Sequence, residues 1–302
     1  MNKKTEEDRM NPSKNLTGII LVAISAACYG FMPIFAKIAY AAGTSTYTLL
    51  LLRFSIASAL MFAIMGIKKI PMPTGKEVVT FLLLGAVGYV GQSLCYFIAL
   101  NYASSGTVSL LFYTNPAMVF IGSVVFFKEK VTKQKLLSLC FALLGAFVII
   151  GGEFDTNTTG LVLALLAALF YVVYILFASV VIKPGMGTQS SAFIMLGAAL
   201  VYAAVTPVVG FVPPTQTIGF VVVVMIALVS TVGAFWTFFA GMEKTGPTVA
   251  SLVSTLEPVV TVVASVVILS EPITINLILG GGLVVASLLI TILPQRDKKQ
   301  NS

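Results

Sequence analysis

The chain has 302 residues, 58% of them hydrophobic and only 10% charged, with a net charge of +7. Soluble domains carry roughly 25% charged residues, so this composition excludes a soluble globular protein and points to many membrane passes. Histidine is absent, which removes His-ligated metals and His-based acid–base chemistry. The basic excess could suit nucleic acid, but its distribution assigns it to membrane orientation.

Residues 1–15 are polar, of mixed charge, and expected to be disordered. The first apolar run, Thr17 to Ala39, exceeds the length of a signal-peptide core and lacks a cleavage site after it. It is therefore expected to span. Further spans are predicted at 46–67, 78–100, 105–127, 134–150, 160–181, 189–210, 218–241, 247–269 and 274–293. All ten are near the ~20 residues that cross about 30 Å of hydrocarbon. The links between them are short and turn-like, as in KKIPMPTGK, GGEFDTNTTG and GFVPPTQT, leaving no room for a soluble domain. With a cytoplasmic N-terminus, all 18 Lys and Arg except Lys37 and Arg53 fall in cytoplasmic segments. A miscounted span would scramble that alternation. Cys28, Cys95 and Cys140 lie inside apolar runs, without disulfide or zinc spacing, and read as helix-packing residues.

The chain repeats itself at an offset of 142 residues. Thr17-Gly18 falls on Thr159-Gly160, Tyr29 on Tyr171, Phe35-Ala36 on Phe177-Ala178, Gly91 on Gly233 and Phe97 on Phe239. Ser109-Leu110 falls on Ser251-Leu252, Pro116 on Pro258, Glu129 on Glu271 and Thr132 on Thr274. Each copy holds five spans, an odd number, so the second must enter the membrane upside down. The fold expected is all-α membrane: ten transmembrane helices in two inverted five-helix repeats, 16–152 and 158–293, followed by a polar tail, 294–302. Inverted repeats characterise many secondary transporters, whose substrates bind near the midplane between the halves.

The two half-ending segments, FYTNPAMVFIGSVVFFKEKVT (112–132) and STLEPVVTVVASVVILSEPIT (254–274), share a central X-Pro, a glutamate just past the helix end, and then a closing helix. With the topology, they make the chain resemble the EamA-type members of the drug/metabolite transporter superfamily over essentially everything after residue 15. The resemblance implies a ten-helix carrier of small metabolites, often exporting amino acids or related compounds without ATP. It also implies both termini in the cytoplasm of a cell membrane, and a central cavity bounded by the first, third and fourth helices of each half. One departure is that Asn115-Pro116 stands where the second half has Glu257-Pro258.

Glu257 is the first candidate site residue. An ionised carboxylate at mid-depth costs at least a few kcal/mol unless paired, hydrated or protonated. It either binds a cationic group of the substrate or carries a proton during transport; the plainer alternative is a cap for the broken backbone. Pro258 frees the Ser254 carbonyl and Pro116 that of Phe112. These breaks support a substrate site or a hinge, or only kink a packed helix. Asn115 can donate and accept, which suits a zwitterion, or it bonds across helices. Tyr29, Tyr96, Tyr113, Tyr171, Tyr174 and Trp236 fall within spans, where they line a cavity suited to an amino acid or a quaternary ammonium, or simply pack. Gln92, one turn before Tyr96, joins them as a candidate. Ser254 completes the substrate-binding set.

Arg53 stands about 10 Å into its helix. It attracts a substrate carboxylate as a charge partner, or it snorkels or pairs structurally. Lys37, near the outer end of the first span, reads as an anchor, and Glu129 and Glu271 read as structural or gating residues. Gly85, Gly88, Gly145, Gly280, Gly281 and Gly282 permit close helix approach, at seams between the halves or at a homodimer face. No catalytic dyad, metal cluster or phosphate loop is present, so neither enzyme nor ATP-driven pump is expected, and no cofactor. The expected partners are the lipid bilayer and a small-molecule substrate, with proton coupling open through Glu257. Amino-acid export is the leading expectation. Uptake of choline or another quaternary amine is the alternative, and a scaffold or lipid-binding protein is the reading from a different class.

Overall fold

A computed structural model describes residues 12–127, 133–152, 157–183, 185–245, 250, 253–254 and 256–292. Most of the N-terminal tail, the C-terminal tail and Glu129 lie outside these. Every described regular element is helical. The helices are α1 (Pro12–Gly30), α2 (Met32–Ala41), α3 (Thr46–Ile67), α4 (Gly75–Leu83), α5 (Val90–Ala99), α6 (Ser105–Phe112) and α7 (Asn115–Phe127). α8 (Lys133–Gly152) closes the first repeat, and the second supplies α9 (Thr158–Val181), α10 (Gly187–Val209), α11 (Thr217–Ala227), α12 (Ala234–Thr245), α13 (Leu256–Leu269) and α14 (Ile275–Ile292). They group into ten passes: α1–α2, α3, α4–α5, α6–α7, α8, α9, α10, α11–α12, α13 and α14. Six are long and apolar enough to cross a membrane unaided, at Leu16–Ala41, Thr46–Ile67, Gly75–Ala99, Thr158–Val181, Gly187–Val209 and Thr217–Met242. The fourth, fifth, ninth and tenth are shorter or broken.

Polar residues at the edges of the apolar runs set where helices begin. The Ser45 and Ser104 hydroxyls accept from the Thr48 and Thr107 N–H groups, and Asn157 accepts from Thr159 N–H. Thr74 and Glu77 form a reciprocal capping box. Each such cap satisfies one of the four N–H groups that a helix start leaves without partners.

The passes pack across the halves in a symmetric pattern. Pass 1 lies on pass 8 and pass 3 on pass 6, while pass 2 meets 7, pass 4 meets 9 and pass 5 meets 10. Exchanging the halves maps the first two contacts onto each other and the remaining three onto themselves, as a pseudo-twofold axis requires. The seam between α8 and α14 is close-packed. A Cβ on Gly145 would lie 2.7 Å from the Gly280 carbonyl oxygen, and a Cβ on Gly280 2.7 Å from that of Gly145. The Ser138 hydroxyl donates to the Ser287 carbonyl at 2.9 Å, the Ser287 hydroxyl returns the bond at 2.8 Å, and Asn276 donates to the Val148 carbonyl. Numbers rise along one helix as they fall along the other, so the pair is antiparallel. These contacts use Gly145 and Gly280 between the halves.

Among the described residues, breaks or π turns interrupt passes 1, 3, 4 and 8. Pro116 leaves the Phe112 carbonyl without its helical donor, and Asn115 Nδ2 takes that place at 2.8 Å. The first pass breaks at Phe31, where Pro33 likewise frees the Tyr29 carbonyl. Passes 3 and 8, equivalent in the two repeats, each contain one π turn, Leu84–Tyr89 and Leu228–Gly233. In the latter, Thr231 Oγ1 donates to the Ile226 carbonyl at 2.8 Å. Such turns rotate the side chains that follow and occur often at functional sites.

Candidate functional site

The breaks face one cavity of about 830 Å³ between the halves. It is walled by passes 1, 3 and 4 of the first half and 6, 8 and 9 of the second, with the start of pass 7 at its mouth. The mouth lies at the end of the bundle that carries the 182–187 link, where Lys183 and Gly185 line it. Its size falls in the range of ~300–1,000 Å³ usual for small-molecule sites.

Glu257 stands in the first turn of α13, with the Tyr113 hydroxyl within hydrogen-bonding reach. Thr261, one turn on, donates to the Gly30 carbonyl at 2.9 Å, which pins α13 to the break in the first pass. Tyr29, Tyr96, Tyr113 and Tyr171 are all close enough to Glu257 to feel its charge. The rings form a connected wall. Tyr89 and Tyr174 have centroids 5.4 Å apart, Tyr174 and Tyr171 6.2 Å, Tyr171 and Phe112 5.5 Å, and Phe112 and Tyr113 6.1 Å. A lone carboxylate among ring faces is chemically a site for an ammonium group on an apolar body. Among the described residues, the only charged ones in the lining are Glu257 and Lys183, and Lys183 already pairs with Glu77 at 2.7 Å.

Eight of the ten substrate-binding candidates line this cavity: Glu257, Asn115, Tyr29, Gln92, Tyr113, Tyr171, Tyr174 and Ser254. Two do not. Tyr96 is buried behind Phe112, with ring centroids 5.2 Å apart. Trp236 faces outward, 41% exposed, with the Lys68 ammonium 4.1 Å from its ring centroid. Its neighbours Phe235, Phe238 and Phe239 line the cavity instead. Arg53 is also outside the wall, and it does not snorkel. It is buried, its Nε donates to Thr231 Oγ1 at 3.1 Å, and its guanidinium lies over the rings of Phe54 and Phe97. It ties pass 2 to the π turn of pass 8. Lys37 is no interfacial anchor, because its ammonium meets Glu271 at 2.8 Å. Cys140 is exposed on the flank of α8 rather than packed, while Cys28 and Cys95 are half-buried.

Tyr89 and Ser25 also line the cavity, outside the substrate-binding set. Tyr89 ends the π turn, so its facing depends on a rotation that apolar periodicity does not encode. Ser25 has a structural signal only in three dimensions, where its hydroxyl donates to the Ala234 carbonyl at 2.6 Å.

A family model described as the EamA-like transporter family matches the chain twice, over residues 16–151 and 158–293. YyaM of Bacillus subtilis (strain 168), named an uncharacterized transporter, is 26% identical over 269 residues, covering 83% of this chain and 87% of that protein. An uncharacterized transporter of Archaeoglobus fulgidus is 28% identical over 255 residues, covering 80% and 86% of the two chains. A solved crystal structure shares the fold with a TM-score of 0.64 at 20% identity, over 92% of this chain and 96% of the other.

Proposed function

The chain belongs to the EamA-like transporter family, and on that premise we propose that it is a secondary carrier of small ammonium-bearing metabolites, working by alternating access. It is a multi-pass membrane transporter and not an enzyme. The favoured cargo class is amino acids or related amphiphilic compounds, moved outward across the cell membrane, with both termini in the cytoplasm. The observation that carries this reading is Glu257 at the centre of the tyrosine wall. Asn115, Gln92, Ser25 and Ser254 supply donors and acceptors for the polar remainder of an amino acid. Glu257 is also the one acidic lining residue through which proton movement can couple to cargo.

A second reading is uptake of choline or another quaternary amine. It is favoured by one observation: among the described residues, no unpaired cation stands in the wall to meet an α-carboxylate. Counterflow in proteoliposomes separates the two. Labelled amino acids exchanging while labelled choline does not supports export of amino acids; the reverse supports the amine. Exchange of neither, in protein that is folded and reconstituted, removes the ammonium reading of the cavity.

A further inference from the structure

The end of the bundle opposite the cavity mouth is held shut by one carboxylate. After α13 the chain turns back through Ser270, a non-glycine residue at φ +55°, and Glu271 N–H donates to the Ser265 carbonyl at 3.2 Å. The left-handed residue just past a helix end is a position that usually employs glycine. The turn aims the Glu271 side chain at the start of α6. There both carboxylate oxygens accept from Ser105 N–H, at 2.9 and 3.0 Å, and one accepts from the Ser105 hydroxyl at 3.1 Å. The Lys37 ammonium, on α2, completes the cluster at 2.8 Å. Lys37 and Ser105 belong to the first half and Glu271 to the second. The three lie on passes 1 and 4 and at the end of pass 9, which also wall the cavity.

We propose that Lys37, Ser105 and Glu271 form the latch of the carrier's outer end, and that the latch biases the resting protein toward the state open at the 182–187 end. Opening the outer end requires passes 1 and 4 to part from pass 9, which breaks every bond to Glu271. Its position two residues past the end of the helix that carries Glu257 lets motion of α13 link cargo site and latch. The bias follows from an inequality between the repeats. The 142-residue offset places Glu129 opposite Glu271, but Ser179 opposite Lys37 and Pro247 opposite Ser105. A serine brings no ammonium and a proline no N–H. The position equivalent to Lys37 thus brings no ammonium and the one equivalent to Ser105 no backbone N–H, and on this inequality of sequence the latch favours closure of the outer end.

The inference rests on the alternating-access reading, but its test needs no cargo. Spin labels at Ala41 and Ile273, exposed residues at the latch end of the two halves, report the outer distance by pulsed electron resonance. The background carries alanine at Cys28, Cys95 and Cys140, and the protein is reconstituted in lipid. Without cargo, one short-distance population is expected. Glu271→Gln and Lys37→Met should each raise the ratio of long to short distances about tenfold, as loss of a charged hydrogen bond implies, while Lys37→Arg keeps the short population. Identical distributions in the wild type and both variants, each eluting as a folded species, overturn the latch. A dominant long population in the unmodified protein overturns the bias. Distances that shift as expected while no cargo is found for the Glu257 cavity leave the latch standing and remove the cargo reading alone.

Discussion

Within the cavity, the tyrosines divide into groups that touch it and groups that only support it. The face of Tyr171 is expected to hold a cationic cargo, with a cation–π contribution of about 0.5–2 kcal/mol. Tyr171→Phe should therefore leave the half-saturation concentration nearly unchanged, whereas Tyr171→Ala should raise it by roughly 2- to 30-fold. Trp236→Leu is the contrasting control. Its ring faces outward under Lys68, so cargo affinity should stay within about twofold of wild type. Concentration-dependent uptake into proteoliposomes measures all three. The sequence could name ring residues at mid-depth, but not which way each one turns. One residue along a helix is about 100° around it, which puts Phe235 on the cavity and Trp236 on the outside. Structural pairing was one of the readings open for Arg53, but its partner was not visible for a related reason. Its partner Thr231 is 178 residues away, and that proximity exists only after the halves fold together.

At the scale of elements, the interrupted helices do the positioning. The break at Pro116 was legible because proline removes a donor wherever it stands, whereas Pro258 lies inside the first turn of α13. That Asn115 would fill the gap at the Phe112 carbonyl was not legible, because an amide at that depth serves equally well across helices or toward cargo. The π turns were hidden for a deeper reason: they change register without changing hydropathy. The α8–α14 seam yields a direct prediction. Gly145→Leu places a side chain where the Gly280 carbonyl leaves no space, and overpacking of this kind costs about 1–3 kcal/mol. The variant should melt several degrees lower in detergent, while cargo affinity in the surviving protein is unchanged; differential scanning fluorimetry reads the first and uptake the second.

The 270–274 link carries a pH prediction. Partial burial pushes the Glu271 carboxyl up, but the Lys37 ammonium and the Ser105 N–H and hydroxyl outweigh it and hold the group below the usual carboxylate range. Among the described residues, Lys37 is the one ionic partner that faces it. A depressed carboxyl stabilises the latched form fully above its ordinary titration range, and the stabilisation is lost as pH falls through the depressed value. The Ala41–Ile273 distance should accordingly be constant around neutral pH and lengthen only in acid. In Glu271→Gln that acid transition should vanish.

Across the whole molecule, the cross-half contacts and the single cavity follow from one duplication. An odd number of passes per copy forces inversion, inversion pairs 1 with 8 and 3 with 6, and the pairs leave a space at the centre. This much was legible because polar caps, proline positions and the 142-residue offset are features of the chain itself. The inequality between the copies was also visible as Asn115 against Glu257. Its companion at the bundle end was not, since Lys37 and Glu271 are 234 residues apart. One copy thus supplies the carboxylate of the cavity wall.

The most direct measurement is equilibrium binding of the compound identified by counterflow, to purified wild-type protein and to Glu257→Gln. The substitution keeps the side chain's shape and removes its charge. The account predicts at least a tenfold loss of affinity in the glutamine variant, together with a flattened pH dependence of transport. Equal affinity, equal rate and the same pH dependence in both proteins would contradict it.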